Sequence, residues 1–432
     1  MKKTLLLTLA IGAASAMQMM ASDLYITGST AFRANVYNAC TKLYDNGAPA
    51  NVVYGTSATG GNSPQSPVAN NYQWTMTGTV SNTISAMGQT TLTIHALFTG
   101  SVQGVQTVEQ STKLIFLDAT GNAITNTPTI AFTDVSSTST PYPASGNFSE
   151  EKICVQPFVM CKSVALSSAV TNVTWDALRS AIQPGRIPLS VWTHNTNDRS
   201  SFVYLVQRTK DSGTRRTELA EVQFTFNQSA SIYLFDNVTN NAFWKPSSSS
   251  TVIVGAAGNN NANLNWGSGY VGGGDVKTEL AYNFAGNQAL AILSIADAKG
   301  ITGVNWSQVM PFNSTWPTAA ASGLSGNTGT NDYSPVSDGQ YPLWAYEVVV
   351  YPTVDPSSIS TDQNLTASQL GNQSTAGTIL GVLDYVNQVA PFTPLIGSIE
   401  NEIENSKVGG ATAVRLKDMT ASRSSVGGTI TP

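Results

Sequence analysis

Residues 202–216, FVYLVQRTKDSGTRR, decide how the chain reads. The run Phe202-Val203-Tyr204-Leu205-Val206 is β-branched and aromatic, the composition of a buried strand. Ser212-Gly213-Thr214 then opens a helix that carries Leu219, because a Ser side chain at this position can cap the first free N–H groups. A strand that turns tightly into a helix aims backbone N–H groups and the positive end of the helix dipole at one point, which suits an anion. Arg208 stands four residues before Ser212, close enough to fold its guanidinium over the same helix mouth and present two parallel donors to an oxyanion.

Working outward, the same grammar recurs at residues 24–32, LYITGSTAF, and more loosely at residues 93–105, TIHALFTGSVQGV. Ser29, Thr30, Ser101, Ser212 and Thr214 add hydroxyl donors to these turns. Taken singly, each turn is also an ordinary capped helix, since Ser and Thr are common N-caps. Further strands are expected at 90–97, 114–117, 129–132, 153–164 and 344–351. Helices are expected from Phe32 to Leu43, over 175–182 with Thr174 as cap, and over 374–389 and 394–406. Residues 285–298 also read as regular structure. Strands alternating with helices argue for an α/β chain. Residues 46–89 and 247–274, rich in Gly, Ser, Thr and Asn, read as loops with short strands.

Composition narrows the function. Charged residues are 11% of the 432, against about 25% in an average chain. With 21 basic and 26 acidic residues the net charge is −5, which offers no electrostatic footing for a nucleic-acid backbone. Lys2 and Lys3, an apolar run from Leu5 to Ile11 and Ala14-Ser15-Ala16 read as a secretory signal within residues 1–21, with cuts after Ala16 or Ala21 both compatible. The apolar run is shorter than the roughly 20 residues of a membrane span, and no later segment reads as one. Export to the periplasm, or on to the cell surface or medium, is therefore expected.

Three cysteines, Cys40, Cys154 and Cys161, are available for pairing in such a compartment. A Cys154–Cys161 bridge would close the shortest loop, leaving Cys40 a buried thiol. Two histidines, His95 and His194, lie at no metal-ligand spacing. Neither a H-E-x-x-H nor a G-x-S-x-G turn with a credible His partner is present. Gly267-x-Gly269-x-x-Gly272 matches a dinucleotide fingerprint in letters but follows no strand. No enzymatic reaction, cofactor or metal is expected.

Arg208-x-x-x-Ser212-Gly213-Thr214 after a strand resembles an element of bacterial periplasmic phosphate-binding proteins, the solute receptors of ABC importers. LYITGSTAF is similar to that family's first strand and oxyanion-contacting turn, which assigns contacts to Ser29 and Thr30. Gly100-Ser101-x-x-Gly104 is similar to its second helix mouth, assigning Ser101. Residues 130–136, IAFTDVS, are similar to the strand that delivers an acidic residue, here Asp134. The resemblance implies a type 2 periplasmic-binding-protein fold: two α/β lobes, 23–145 plus 340–432 and 146–339, hinged around an interlobe cleft. It implies a ligand set of Ser29, Thr30, Ser101, Asp134, Arg208, Ser212, Gly213 and Thr214 for phosphate or a related tetrahedral oxyanion, and an ABC importer permease as partner. Asp134 would accept a bond from a protonated oxyanion and repel sulfate, which carries no proton near neutral pH. The chain departs from the family where an aspartate usually stands two residues after the arginine; here it has Lys210, with Asp211 next. A competing reading is a surface or extracellular adhesion protein that keeps this fold without a transport role, a reading the polar insertions favour.

Overall fold

The computed structural model describes residues 20–55, 72–80, 89–142, 148–224, 230–236, 242–244, 269–270, 272–283, 286–299, 308–319, 332–352 and 413–431. The expected helices over 374–389 and 394–406, and residues 1–19 of the expected signal segment, lie outside these residues.

The chain is a mixed α/β protein. Its strands are β1 (Met20–Gly28), β2 (Asn51–Tyr54), β3 (Gln73–Thr79), β4 (Gln89–Leu97), β5 (Leu114–Leu117), β6 (Ala123–Asn126), β7 (Ile130–Thr133), β8 (Phe148–Lys162), β9 (Arg186–Pro188), β10 (Phe202–Leu205), β11 (Leu234–Asp236), β12 (Ala242–Trp244), β13 (Ala289–Ser294), β14 (Val309–Met310), β15 (Trp344–Pro352) and β16 (Val414–Arg415). The helices that matter for the site are α1 (Arg33–Thr41), α2 (Ser101–Glu109), α3 (Trp175–Ile182), α4 (Gly213–Glu221), α5 (Gly273–Ala281) and α6 (Ile295–Lys299).

Among the described residues twelve strands form one sheet in the order β2-β3-β4-β1-β7-β15-β8-β13-β10-β9, with β14 and β16 also on β8. Strands β4, β1 and β7 run parallel, so the turns that follow them emerge on the same edge. Strands β10 and β13 are parallel as well. β8 and β15 link these two parallel groups. The first part of β8 pairs with β15 from Phe148 to Pro157, and the rest pairs with β13 from Phe158 to Lys162.

Among the described residues the apolar core divides three residues earlier on β8. One cluster gathers Leu24, Ile26, Val36, Trp74, Ile94, Phe132 and Cys154 under α1. A second gathers Val155, Val159, Leu178, Val203, Leu205, Leu219, Ile292 and Leu343, and a smaller third gathers Val105, Val108, Ala131, Val348 and Val350. The boundary on β8 thus falls between Cys154 and Val155. Helix α3 shows how the sequence sets such packing: Ala177, Leu178, Ala181 and Ile182 recur at helical spacing and are all buried, and the Thr174 hydroxyl accepts the Ala177 N–H as its cap.

The proposed disulfide is overturned. All three cysteines are free and buried. Cys154 and Cys161 sit on the single strand β8, where seven steps at about 3.3 Å separate them by about 23 Å, far beyond the roughly 7 Å limit for bridging Cα atoms. Within the stretch 46–89, expected as loops with short strands, the described residues include β2 and β3, which pair antiparallel, with β3 also on β4. Among the described residues no helix is long and apolar enough to cross a membrane.

Candidate functional site

Three strand-to-helix turns are stitched together by their own backbones. Gly28 has φ +119°, and a Cβ there would stand 1.8 Å from the Phe132 carbonyl oxygen, so the end of β1 admits only glycine. The Ser29 N–H donates to that same carbonyl at 2.6 Å. The Gly100 N–H donates to the Gly28 carbonyl at 2.9 Å, joining the α2 turn to the α1 turn. The Val102 N–H donates to the Asp211 carbonyl at 3.0 Å, joining the α2 turn to the α4 turn. The mouths of α1, α2 and α4 therefore meet at one place.

The side chains expected from the sequence gather there. Ser29 Oγ accepts the Ala31 and Phe32 N–H groups at 3.2 and 3.3 Å, ahead of α1. Ser212 Oγ accepts the Arg215 N–H at 3.3 Å and caps α4. Asp134, just beyond β7, is buried; its Oδ1 accepts a hydrogen bond from Ser101 Oγ, and its N–H donates to that oxygen at 3.3 Å. Gly213 lies directly against it: a Cβ would come within 1.6 Å of Asp134 Oδ1 and 2.6 Å of Ser101 Oγ. Arg208 is buried and reaches across, Nη2 donating to Thr30 Oγ1 at 2.8 Å and Nε donating to the Tyr270 carbonyl at 3.2 Å. Thr214 is buried in the first turn of α4. All eight expected residues thus fall at the same three helix mouths, just beyond β7, or on the segment between β10 and α4.

Burial sets the electrostatics. It pushes the Asp134 carboxyl above the usual range, while the Ser101 hydrogen bond, the Arg208 charge and Ser29 pull the other way. It pushes the Arg208 guanidinium below the usual arginine range, against Tyr72, Asp297, Asp275 and Asp134. Arg208 and the Asp134 carboxylate, set among hydroxyls and helix mouths, can hold one dehydrated oxyanion without a strongly basic surface.

Lys210, at the departure from the expected pattern, is exposed. The guanidinium is held instead by Tyr270, whose bridge to Arg208 brings the end of the Gly267-to-Gly272 stretch against the site. Gly269, at φ +90°, passes so close that a Cβ would meet the Gln207 and Arg208 carbonyls at 2.5 Å. These glycines serve chain crossing and the start of α5, which Gly272 caps with its N–H donating to Asp275 Oδ2 at 2.9 Å.

A second cation was not foreseen. Arg33, buried in the first turn of α1, pairs with Asp297 of α6 at 3.3 Å, and its guanidinium lies 4.7 Å from the centre of the Tyr72 ring. Burial opposes its charge, but Asp297, Tyr72 and Asp275 together outweigh that and hold it above the usual arginine range. The signal was present: Asp297 is the lone acid in the apolar run 289–298, and Arg33 the lone charge between Asp23 and Lys42. The described residues hold no group of three or more His, Cys, Asp or Glu suited to a metal ion.

No family model matches the chain, and no curated protein matches it. Among solved structures it is similar to an ABC-type phosphate transport receptor from Vibrio cholerae, at 14% identity and TM-score 0.39, covering 83% of this chain and 97% of that one. It is similar, at 13% identity and TM-score 0.39 with 91% of each chain covered, to the high affinity periplasmic phosphate-binding protein PfluDING bound with phosphate. A human phosphate binding apolipoprotein shows 12% identity and TM-score 0.39, again over 91% of each chain.

Proposed function

We propose that the protein binds phosphate, or a tetrahedral oxyanion of the same shape, reversibly between two α/β lobes. Lobe one comprises 23–145 with 340–432 and lobe two 146–339, with β8 and β15 as the hinge. The observation that carries the reading is the Arg208–Thr30 hydrogen bond of 2.8 Å. It runs from the β10–α4 junction, beside the second core cluster, to the β1–α1 junction, beside the first. One cation thus bridges the two helix mouths that an oxyanion would occupy together.

The chemistry follows from the residues. Helix mouths α1, α2 and α4 supply N–H donors, Ser29, Thr30, Ser212 and Thr214 supply hydroxyls, Ser101 holds the Asp134 carboxylate in place with its own hydroxyl, and Arg208 supplies the fork. Asp134 accepts a hydrogen bond from a protonated oxyanion, so hydrogen phosphate is favoured over sulfate. Closing the lobes removes water and strengthens every bond within. The protein would be exported through residues 1–21 and deliver its ligand to an ABC importer permease. Calorimetric titration of ligand-stripped protein with phosphate, sulfate and molybdate tests this. Heat with phosphate and none with sulfate is expected; no heat with any of the three overturns the receptor reading and favours an adhesion role.

A further inference from the structure

Glu347, on β15, is completely buried at 0% exposure, and neither of its carboxyl oxygens has a hydrogen-bond partner among the described residues. Buried polar groups are almost always satisfied, so a carboxyl left in this state calls for an explanation. Its position is specific. β15 pairs with β7 through Val349↔Phe132 and Val348↔Thr133, so the next step of that register sets Glu347 beside Asp134. On its other side it opposes Cys154, where the register on β8 shifts. Ala345 belongs to one core cluster and Val349 to another, which places this carboxyl on the seam between them.

Two neighbouring carboxyls in a dry site do not both ionise readily. Asp134 has the Ser101 and Ser29 hydroxyls and the Arg208 cation to support a charge. Glu347 has none of these. The charge therefore goes to Asp134 and the proton to Glu347.

We infer that Glu347 is the proton-holding carboxyl behind the oxyanion site: it stays neutral so that Asp134 alone meets Arg208 and the ligand as an anion, and its ionisation sets the alkaline limit of binding. The inference rests on the oxyanion reading of the site. Burial and the Asp134 charge both push Glu347 upward, in the direction required. Asp134 just beyond β7, Cys154, Lys152, Glu151 and Glu150 on β8, Glu109 on α2 and Arg423 of the terminal segment are the charged and titratable groups on the elements packed around this part of β15. Lys152 lies 3.8 Å over the Tyr346 ring and Arg423 pairs with Glu221 at 3.3 Å. Asp134 is the group whose charge bears on Glu347.

A bound oxyanion adds negative charge nearby and raises the proton affinity of Glu347 further. Once pH exceeds the ionisation of Glu347 in the free protein, binding must take up a proton there, and affinity falls by up to about tenfold per pH unit from this group. The test is calorimetric titration of the full chain with inorganic phosphate from neutral to alkaline pH, for wild type and Glu347→Gln. The wild type should lose affinity more steeply than the ionisation of phosphate itself dictates, and Glu347→Gln should lose that excess. Superimposable pH profiles overturn this inference while leaving the oxyanion site standing. Absence of phosphate binding by the wild type overturns both. A readout that needs no folded variant is the infrared difference spectrum of the wild type on phosphate addition. A perturbed protonated-carboxyl band near neutral pH supports the inference, and no such band overturns it.

Discussion

Replacing Gly213 by alanine should disable the site through one misplaced methyl group. A Cβ at this position would lie 1.6 Å from Asp134 Oδ1, 2.4 Å from its Cγ and 2.6 Å from Ser101 Oγ, whereas real Cβ atoms essentially never approach closer than 3.0 Å. Something must move by about 1.4 Å. Helix α4 has little freedom to retreat, since the Asp211 carbonyl is bonded to the Val102 N–H at 3.0 Å. Asp134 is the group that gives way, and it does so by leaving its Ser101 donor. A hydrogen bond to a charged group contributes about 1.5–3 kcal/mol, so phosphate affinity should fall by roughly 10- to 150-fold. The assay is calorimetric phosphate titration beside a thermal melt, which separates a folded, weakened variant from an unfolded one. Wild-type affinity in a folded Gly213→Ala protein would refute the placement of the α4 mouth against Asp134.

Two further outcomes test the structure away from the ligand. Glu279 is buried, accepts the Tyr270 hydroxyl at 3.0 Å and is pushed up to about 8 by burial. The folded state therefore holds a proton that the unfolded chain releases above about 4.5, so stability declines as pH rises through that window, by up to about 1.4 kcal/mol per pH unit from this group. Urea midpoints at pH 5 and pH 8 should differ less in Glu279→Gln than in wild type; an equal difference would contradict the assignment. Because all three thiols are free and buried, the native protein should resist alkylation, and the unreduced, unfolded chain should take up three labels by mass. Uptake of one label would restore a disulfide.

Much of the architecture was legible because it is local. Strand, glycine turn and capped helix announce themselves in LYITGSTAF and in the stretch around Arg208, and the structure brings those turns together. The Cys154–Cys161 reading failed because spacing says nothing of conformation: six intervening residues close a loop only if the chain turns, and β8 runs through them as one strand. Arg33–Asp297 and Glu347 were missed for a different reason. Lone charges in apolar runs marked Arg33 and Asp297 singly, but their pairing spans 264 residues, and Glu347 stands beside Asp134 only across a strand register; no local pattern encodes either juxtaposition. Lys210 marked a real departure, since the support an aspartate would give to Arg208 comes instead from the Tyr270 carbonyl.

The central claim is that Arg208 anchors an oxyanion across the two helix mouths, and the most direct test is phosphate titration of wild type and Arg208→Ala side by side, with exposed Lys113→Ala as a control. Saturable binding by wild type and Lys113→Ala, with none detectable in a folded Arg208→Ala protein, is the predicted result. Equal phosphate affinity in all three proteins would contradict the account.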